Sequence, residues 1–134
     1  MGPVGFSVYS TENEFLQEDQ IARFYGVITN FGGHYNANTS SFVCPYQGIY
    51  QFMLNFNTYG HDGLELGIVK DTEVLVVALA DWTGSDSRTT GSASVIVECG
   101  PSEVIWVETS GSAGEFNGNS QRRSHFIGYM LYAY

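Results

Sequence analysis

Residues 24–54, FYGVITNFGGHYNANTSSFVCPYQGIYQFML, carry the period on which the rest of the chain is built. From Gly48 onward the residues alternate. Tyr50, Phe52, Leu54 and Phe56 share one side, and Gln51, Asn55 and Asn57 the other. A period of two with aromatic side chains on one face belongs to a half-buried β-strand, not to a helix. Ahead of it, Gly32-Gly33 and residues 36–41 supply turn chemistry, and Cys44-Pro45 with Gly48 makes the corner into the strand.

The same grammar extends in both directions. Residues 4–9 read as a first strand, with Phe6 and Val8 on one side and Ser7 and Tyr9 on the other. The acidic segment 12–20 reads as a solvated loop, a short helix capped at Ser10 or Thr11 being the alternative. Residues 21–28 return to extended character. Residues 64–69 alternate again and reach a hairpin turn at 70–73. Residues 74–80 are apolar on both sides, as in a strand covered on two faces, by the core and by a neighbouring subunit or loop. Residues 92–98 and 104–109 read as a strand pair around the turn Cys99-Gly100-Pro101-Ser102, residues 110–123 as a long loop, and 124–132 as the closing strand.

Composition narrows the possibilities. The 134 residues suffice for one domain with a proper core, assigned here to 4–134. Hydrophobic residues at 43% against charged residues at 14% exclude a disordered chain. The 16 glycines lie between apolar runs, which suits many short strands with tight turns. A net charge of -9, with Lys70 the only lysine, argues against nucleic acid and against an anionic lipid surface. The longest apolar run, 74–80, is too short to cross a bilayer, so no membrane insertion is expected. Met1-Gly2-Pro3 runs almost directly into the first strand with no signal peptide visible, so Met1 reads either as a real start or, the favoured reading, as an addition to an excised domain.

Phe24, Asn30, Tyr35, Phe42, Gly48, Tyr50 and Phe52 fall at the spacing F-x5-N-x4-Y-x6-F-x5-G-x-Y-x-F. That pattern resembles the signature of the globular head domain of complement C1q. Its last position, usually Phe or Tyr, is here Leu54. Residues 19–30, residues 91–97 with the following turn and Val104-x-Trp106-Val107, and the closing Ser124-x-Phe126-x-Gly128-x-x-Leu131-Tyr132 resemble the same family. Pro101-Ser102 stands where the family usually has Gly-Asp. The resemblance implies an all-β, two-sheet jelly-roll sandwich of about ten strands, of the C1q and tumour-necrosis-factor kind. It also implies a secreted homotrimer that recognises glycan, lipopolysaccharide or protein on repetitive microbial or cell surfaces. The apolar content of Tyr50, Phe52, residues 74–80 and residues 126–132 is consistent with strands that need cover from a neighbouring subunit. A trimeric signalling ligand of the tumour-necrosis-factor kind and an acidic matrix protein are the alternatives.

No Gly-x-Ser-x-Gly elbow, His-Glu-x-x-His helix or Cys-x-x-Cys pair occurs, and His34, His61 and His125 lie far apart. A binding module is expected, not an enzyme. Its ligand-binding candidates are Tyr59, His61 and Trp82 in turn-rich loops, and the adjacent cations Arg122 and Arg123, which suit an anionic group. In several C1q-type heads a loop here binds calcium through an Asp and a downstream oxygen. Asp81 matches the first ligand, while Arg88 falls where an oxygen donor is common. A guanidinium only donates, so Arg88 is expected to replace the metal, unless Asp86 supplies the missing oxygen. No other cofactor is expected. Cys44 and Cys99 are either buried thiols or, with their strands antiparallel neighbours as the resemblance implies, a disulfide. Asn38-Thr39-Ser40 is a glycosylation acceptor at Asn38 if the chain is secreted.

Overall fold

The computed structural model describes residues 2–59, 63–80, 88–110, 114–116 and 122–134. These hold β1 (Gly5–Tyr9), β2 (Glu14–Leu16), β3 (Gly26–Phe31), β4 (Tyr35–Asn36), β5 (Ser41–Val43) and β6 (Gly48–Tyr59). The second half of the chain adds β7 (Leu64–Lys70), β8 (Glu73–Ala80), β9 (Arg88–Cys99), β10 (Val104–Thr109), β11 (Gly114–Phe116) and β12 (His125–Ala133). Ten of the strands form two antiparallel sheets, β3-β1-β12-β6-β9 and β4-β5-β10-β7-β8, and β11 pairs with β2 in a separate ribbon. The expected all-β sandwich of two sheets is present. No helix among the described residues is long and apolar enough to cross a membrane.

The alternation read at β6 decides which side chains enter the core. Tyr50, Phe52, Leu54 and Phe56 are buried between the sheets with Phe6, Val8 and Phe126 from the same sheet, and Phe42, Leu66, Ile68, Ile105 and Val107 from the other. Removing each such side chain from water stabilises by roughly 1.5–3 kcal/mol before entropy is charged against it.

The spacing of the aromatic signature has a physical cause. The Asn30 amide donates to the Tyr35 carbonyl at 2.9 Å and accepts from the Tyr35 N–H at 3.2 Å, so one side chain clamps both backbone groups five residues on. Gly32 and Gly33, at φ 88° and 73°, turn the chain between them. The clamp delivers the Tyr35 ring to the core, where its hydroxyl donates to the Phe24 carbonyl at 2.8 Å. Tyr50 closes a similar loop, its hydroxyl donating to the Tyr46 carbonyl at 2.7 Å. The corner before β6 is pinned by a disulfide between Cys44 and Cys99, and Gly48 is the register partner of Cys99 across β6–β9.

Three expectations require correction. Residues 14–16 and 114–116, read inside loops, are the strands of the β2–β11 ribbon. The strands around the turn at 99–102 do not pair. β9 bonds β6 in the first sheet and β10 bonds β5 and β7 in the second, so the turn crosses the sandwich. Residues 74–80 turn one side to the core and leave Val74, Val77 and Leu79 exposed at 48%, 41% and 54% on the other side of the single chain. Tyr50, Phe52 and Phe126 need no neighbouring subunit, because they are fully buried in the chain's own core.

The buried tyrosines tie stability to pH. Burial pushes the Tyr35 hydroxyl well above the usual tyrosine range, and burial raises Tyr50 in the same direction. The fold therefore favours the neutral phenol, while the unfolded chain ionises near pH ~10, so stability is intact below that pH and falls as pH rises past it. Urea unfolding should show that fall, and Tyr35→Phe should flatten part of it. At neutral pH the variant should be less stable by about 1–3 kcal/mol, since the buried Phe24 carbonyl loses its donor. The disulfide spans 55 residues of sequence. Reducing and alkylating it should lower the unfolding free energy by about 2–4 kcal/mol, read against the untreated protein in the same urea series.

Candidate functional site

The outer face of the first sheet is built from the residues that alternate with the core. β6 contributes Gln51, Met53 and Asn55, which pair in register with Ile96, Ser94 and Ser92 of β9 on one side. On the other side they pair with Tyr129, Ile127 and His125 of β12, and these meet Gly5, Ser7 and Tyr9 of β1. Cross-strand bonds order the face, Tyr129 Oη donating to Gln51 Oε1 at 2.6 Å and Ser92 Oγ to Asn55 Oδ1 at 2.7 Å. Ile96 is 61% exposed. A groove of about 340 Å³ runs between Met53, Asn55, Ser92, Ser94, His125 and Ile127.

Charge sets this face apart. The chain has 14 acidic residues, yet Glu98, the penultimate residue of β9, is the only one within the five strands of the first sheet. Sequence reasoning missed the surface because Gln51 and Asn55 read as an ordinary solvated side. The signal that could have found it is the run of strands without a carboxylate.

The residues singled out from the sequence are only partly described. His61, Asp81, Trp82 and Asp86 lie outside the described residues. Tyr59 and Arg88 are described through their backbone, as register partners at one end of the β6–β9 pair. Arg122 and Arg123 approach the same end, since the Asn57 N–H of β6 donates to Ser124 Oγ at 3.0 Å. The two arginines differ. Arg122, at φ 58°, is exposed with its guanidinium 4.7 Å from the centroid of the Tyr9 ring, whereas Arg123 is partly buried. The Tyr9 ring in turn lies flat on Gly26, where a Cβ would collide with it. Arg122 is thus pre-oriented by a cation–π contact, with its N–H groups left for an anion.

Asn38 is exposed, and its N–H donates to Asn36 Oδ1 at 2.9 Å. The hydroxyl of its triplet, Ser40, is buried and accepts from the Phe24 N–H at 2.9 Å, so the fold also uses it. Among the described residues no three His, Cys, Asp or Glu side chains come together as metal ligands.

Comparison with known proteins agrees with this geometry. The sequence model of the C1q domain matches residues 5–131. Human complement C1q tumor necrosis factor-related protein 2 is 29% identical over 128 residues, covering 96% of this chain and 44% of that protein. Mouse complement C1q tumor necrosis factor-related protein 7 is 29% identical over 111 residues, covering 81% of this chain and 37% of that protein. The chain thus spans less than half the length of these two relatives. Among solved structures, the globular domain of zebrafish complement 1qA protein superposes with a TM-score of 0.80 at 17% identity, covering 98% of this chain and 99% of that one. Eiger TNF from S. frugiperda superposes with a TM-score of 0.82 at 8% identity, covering 100% and 96%. The match takes in the Asn30 clamp, the aromatic core and the closing strand alike, and on it the chain belongs to the C1q domain family.

Proposed function

We propose that this domain is a secreted, homotrimeric recognition module that binds microbial or cell-surface ligands through many weak contacts made at once. The observation that carries the reading is the outer face of the first sheet, on which Glu98 is the one carboxylate that the five strands contribute. Three copies of a chain at -9 repel one another, and association is favoured where carboxylates are scarce and apolar side chains such as Ile96, Met53 and Ile127 are offered. A threefold arrangement would point three equivalent sets of loops in one direction. A repetitive glycan, lipopolysaccharide or protein surface would then be held with an avidity far above one site's. The Cys44–Cys99 disulfide and the acceptor triplet at Asn38 both suit an oxidising, secretory route. The role is one of binding, and no catalytic step is assigned to the chain.

Sedimentation equilibrium at micromolar concentration should return three times the chain mass of 14.8 kDa. Ile96→Glu should shift the protein to monomer with its unfolding curve unchanged. A wild-type monomer would overturn the reading. A glycan and lipopolysaccharide array should then show binding by the trimer and at least about tenfold weaker binding by the Ile96→Glu monomer.

The calcium expectation belongs to the same reading. Arg88 is proposed to stand in for the metal against Asp81, so calcium should leave the melting temperature of the wild type unchanged. Arg88→Gln should be destabilised and gain a calcium response. A rise of several degrees in the wild type on adding calcium would contradict the substitution.

A further inference from the structure

Asn38-Thr39-Ser40 is the only acceptor triplet for an N-linked glycan in the sequence. It occupies the turn between β4 and β5, and its three residues differ in access. Asn38 and Thr39 are exposed, whereas Ser40 is 1% exposed and stands at φ 55°. The fold ties down each of them. The Asn38 N–H donates to Asn36 Oδ1, the Thr39 hydroxyl lies 2.7 Å from that of Ser41, and Arg23 Nη1 donates to the Thr39 carbonyl at 3.2 Å. Ser40 is committed most deeply. Its Oγ accepts from the Phe24 N–H at 2.9 Å, and it faces the Tyr35 hydroxyl that donates to the Phe24 carbonyl. The hydroxyl that completes the triplet therefore lies inside the bonding of the aromatic signature.

An acceptor triplet works through two groups. The asparagine amide takes the sugar, and the transferase reads the hydroxyl two residues on in an extended chain. The folded domain offers the first group and withholds the second. Exposing Ser40 would strip the buried Phe24 N–H of its acceptor and undo the turn. We propose that Asn38 carries an N-linked glycan, and that transfer and folding compete for Ser40, so the sugar is added only before the domain closes. The inference rests on the secretory reading, which supplies the compartment. In the step, Asn38 Nδ2 attacks the anomeric carbon of an oligosaccharide carried on a polyprenyl diphosphate. The new carbon–nitrogen bond forms as the carbon–oxygen bond to the diphosphate breaks. The lipid diphosphate leaves, and the amide proton passes to a base, balancing its charge. Once β5 has paired with β10 and Cys44 has joined Cys99, the step is closed off. The finished glycan is accommodated, because Asn38 is exposed beside the edge strand β4 of the second sheet. Occupancy at Asn38 thus records how long this segment stayed open.

Two measurements test the proposal. In the first, an oligosaccharyltransferase and a lipid-linked oligosaccharide are given the native domain, made in a host without that enzyme, or a peptide of residues 34–43. The peptide should be glycosylated and the native domain should not. In the second, a foreign signal sequence delivers the domain to the lumen of a secreting eukaryotic cell. The chain then reaches the transferase whatever its own route, so failure of the secretory reading leaves this result intact. A fraction of wild-type chains should carry mass that peptide N-glycosidase removes, and Asn38→Gln should lose it. That fraction should rise when closure is delayed, by the paired Cys44→Ser and Cys99→Ser substitutions or by reductant in the medium. Modification of the native domain as readily as of the peptide would overturn the proposal. So would an unmodified peptide, or an occupancy in cells that delayed closure leaves unchanged, whether it stands at none or at all of the chains.

Discussion

The ring of Phe6 fixes how the two sheets meet. It stands on β1 of the first sheet, yet its centroid lies 5.0 Å from Tyr35 and 4.9 Å from Phe42, both of the second sheet. Within its own sheet it meets Phe126 edge-on at 5.1 Å. Gly128 of β12 is its register partner, and a Cβ there would lie 2.5 Å from Phe6 and 2.6 Å from Phe52. The missing side chain gives the two rings room, and a layer of aromatic rings then holds the sheets apart at a definite spacing. The Tyr35–Phe24 bond and the Asn30 clamp have their geometry because Tyr35 packs on that ring.

Core packing leaves the outer faces free to differ, and they do. Outward positions of an antiparallel sheet tolerate charge readily. Folding therefore gives no reason for the strands of one sheet to carry a single carboxylate, Glu98, while those of the other display Glu65, Glu73 and Glu108. The contrast belongs to what each face meets in solution.

Much of the architecture was legible because the aromatic signature records backbone bonding as well as burial. Asn30 and Tyr35 are spaced by a clamp, and Gly48, Tyr50 and Phe52 by a corner and a pleat, so their separations are tightly constrained. The β2–β11 ribbon was not legible, since three-residue strands lack enough alternation to exceed a loop's composition. The passage from β9 to β10 was misread because a hairpin turn and a turn between sheets use the same Gly and Pro chemistry. The binding candidates were chosen by residue type, and type alone did not reveal that Arg122 stacks on Tyr9 while Arg123 is partly buried.

The first and last strands also have a mechanical consequence. Gly5 opens β1 opposite Tyr129, and Ala133 closes β12 opposite Gly48, so both strands leave the sandwich at the pole where Cys44 and Cys99 are joined. β1 and β12 are antiparallel neighbours. A tension applied between their outer ends would load the ladder one rung at a time, peeling it like a zipper instead of shearing all its bonds together. Resistance to such a pull is low for any ladder loaded in this way, and the disulfide lies outside the force path. The sheet's bonds would open from that pole toward the end that holds Tyr9 and His125, with the Phe6 ring among the first core contacts to part.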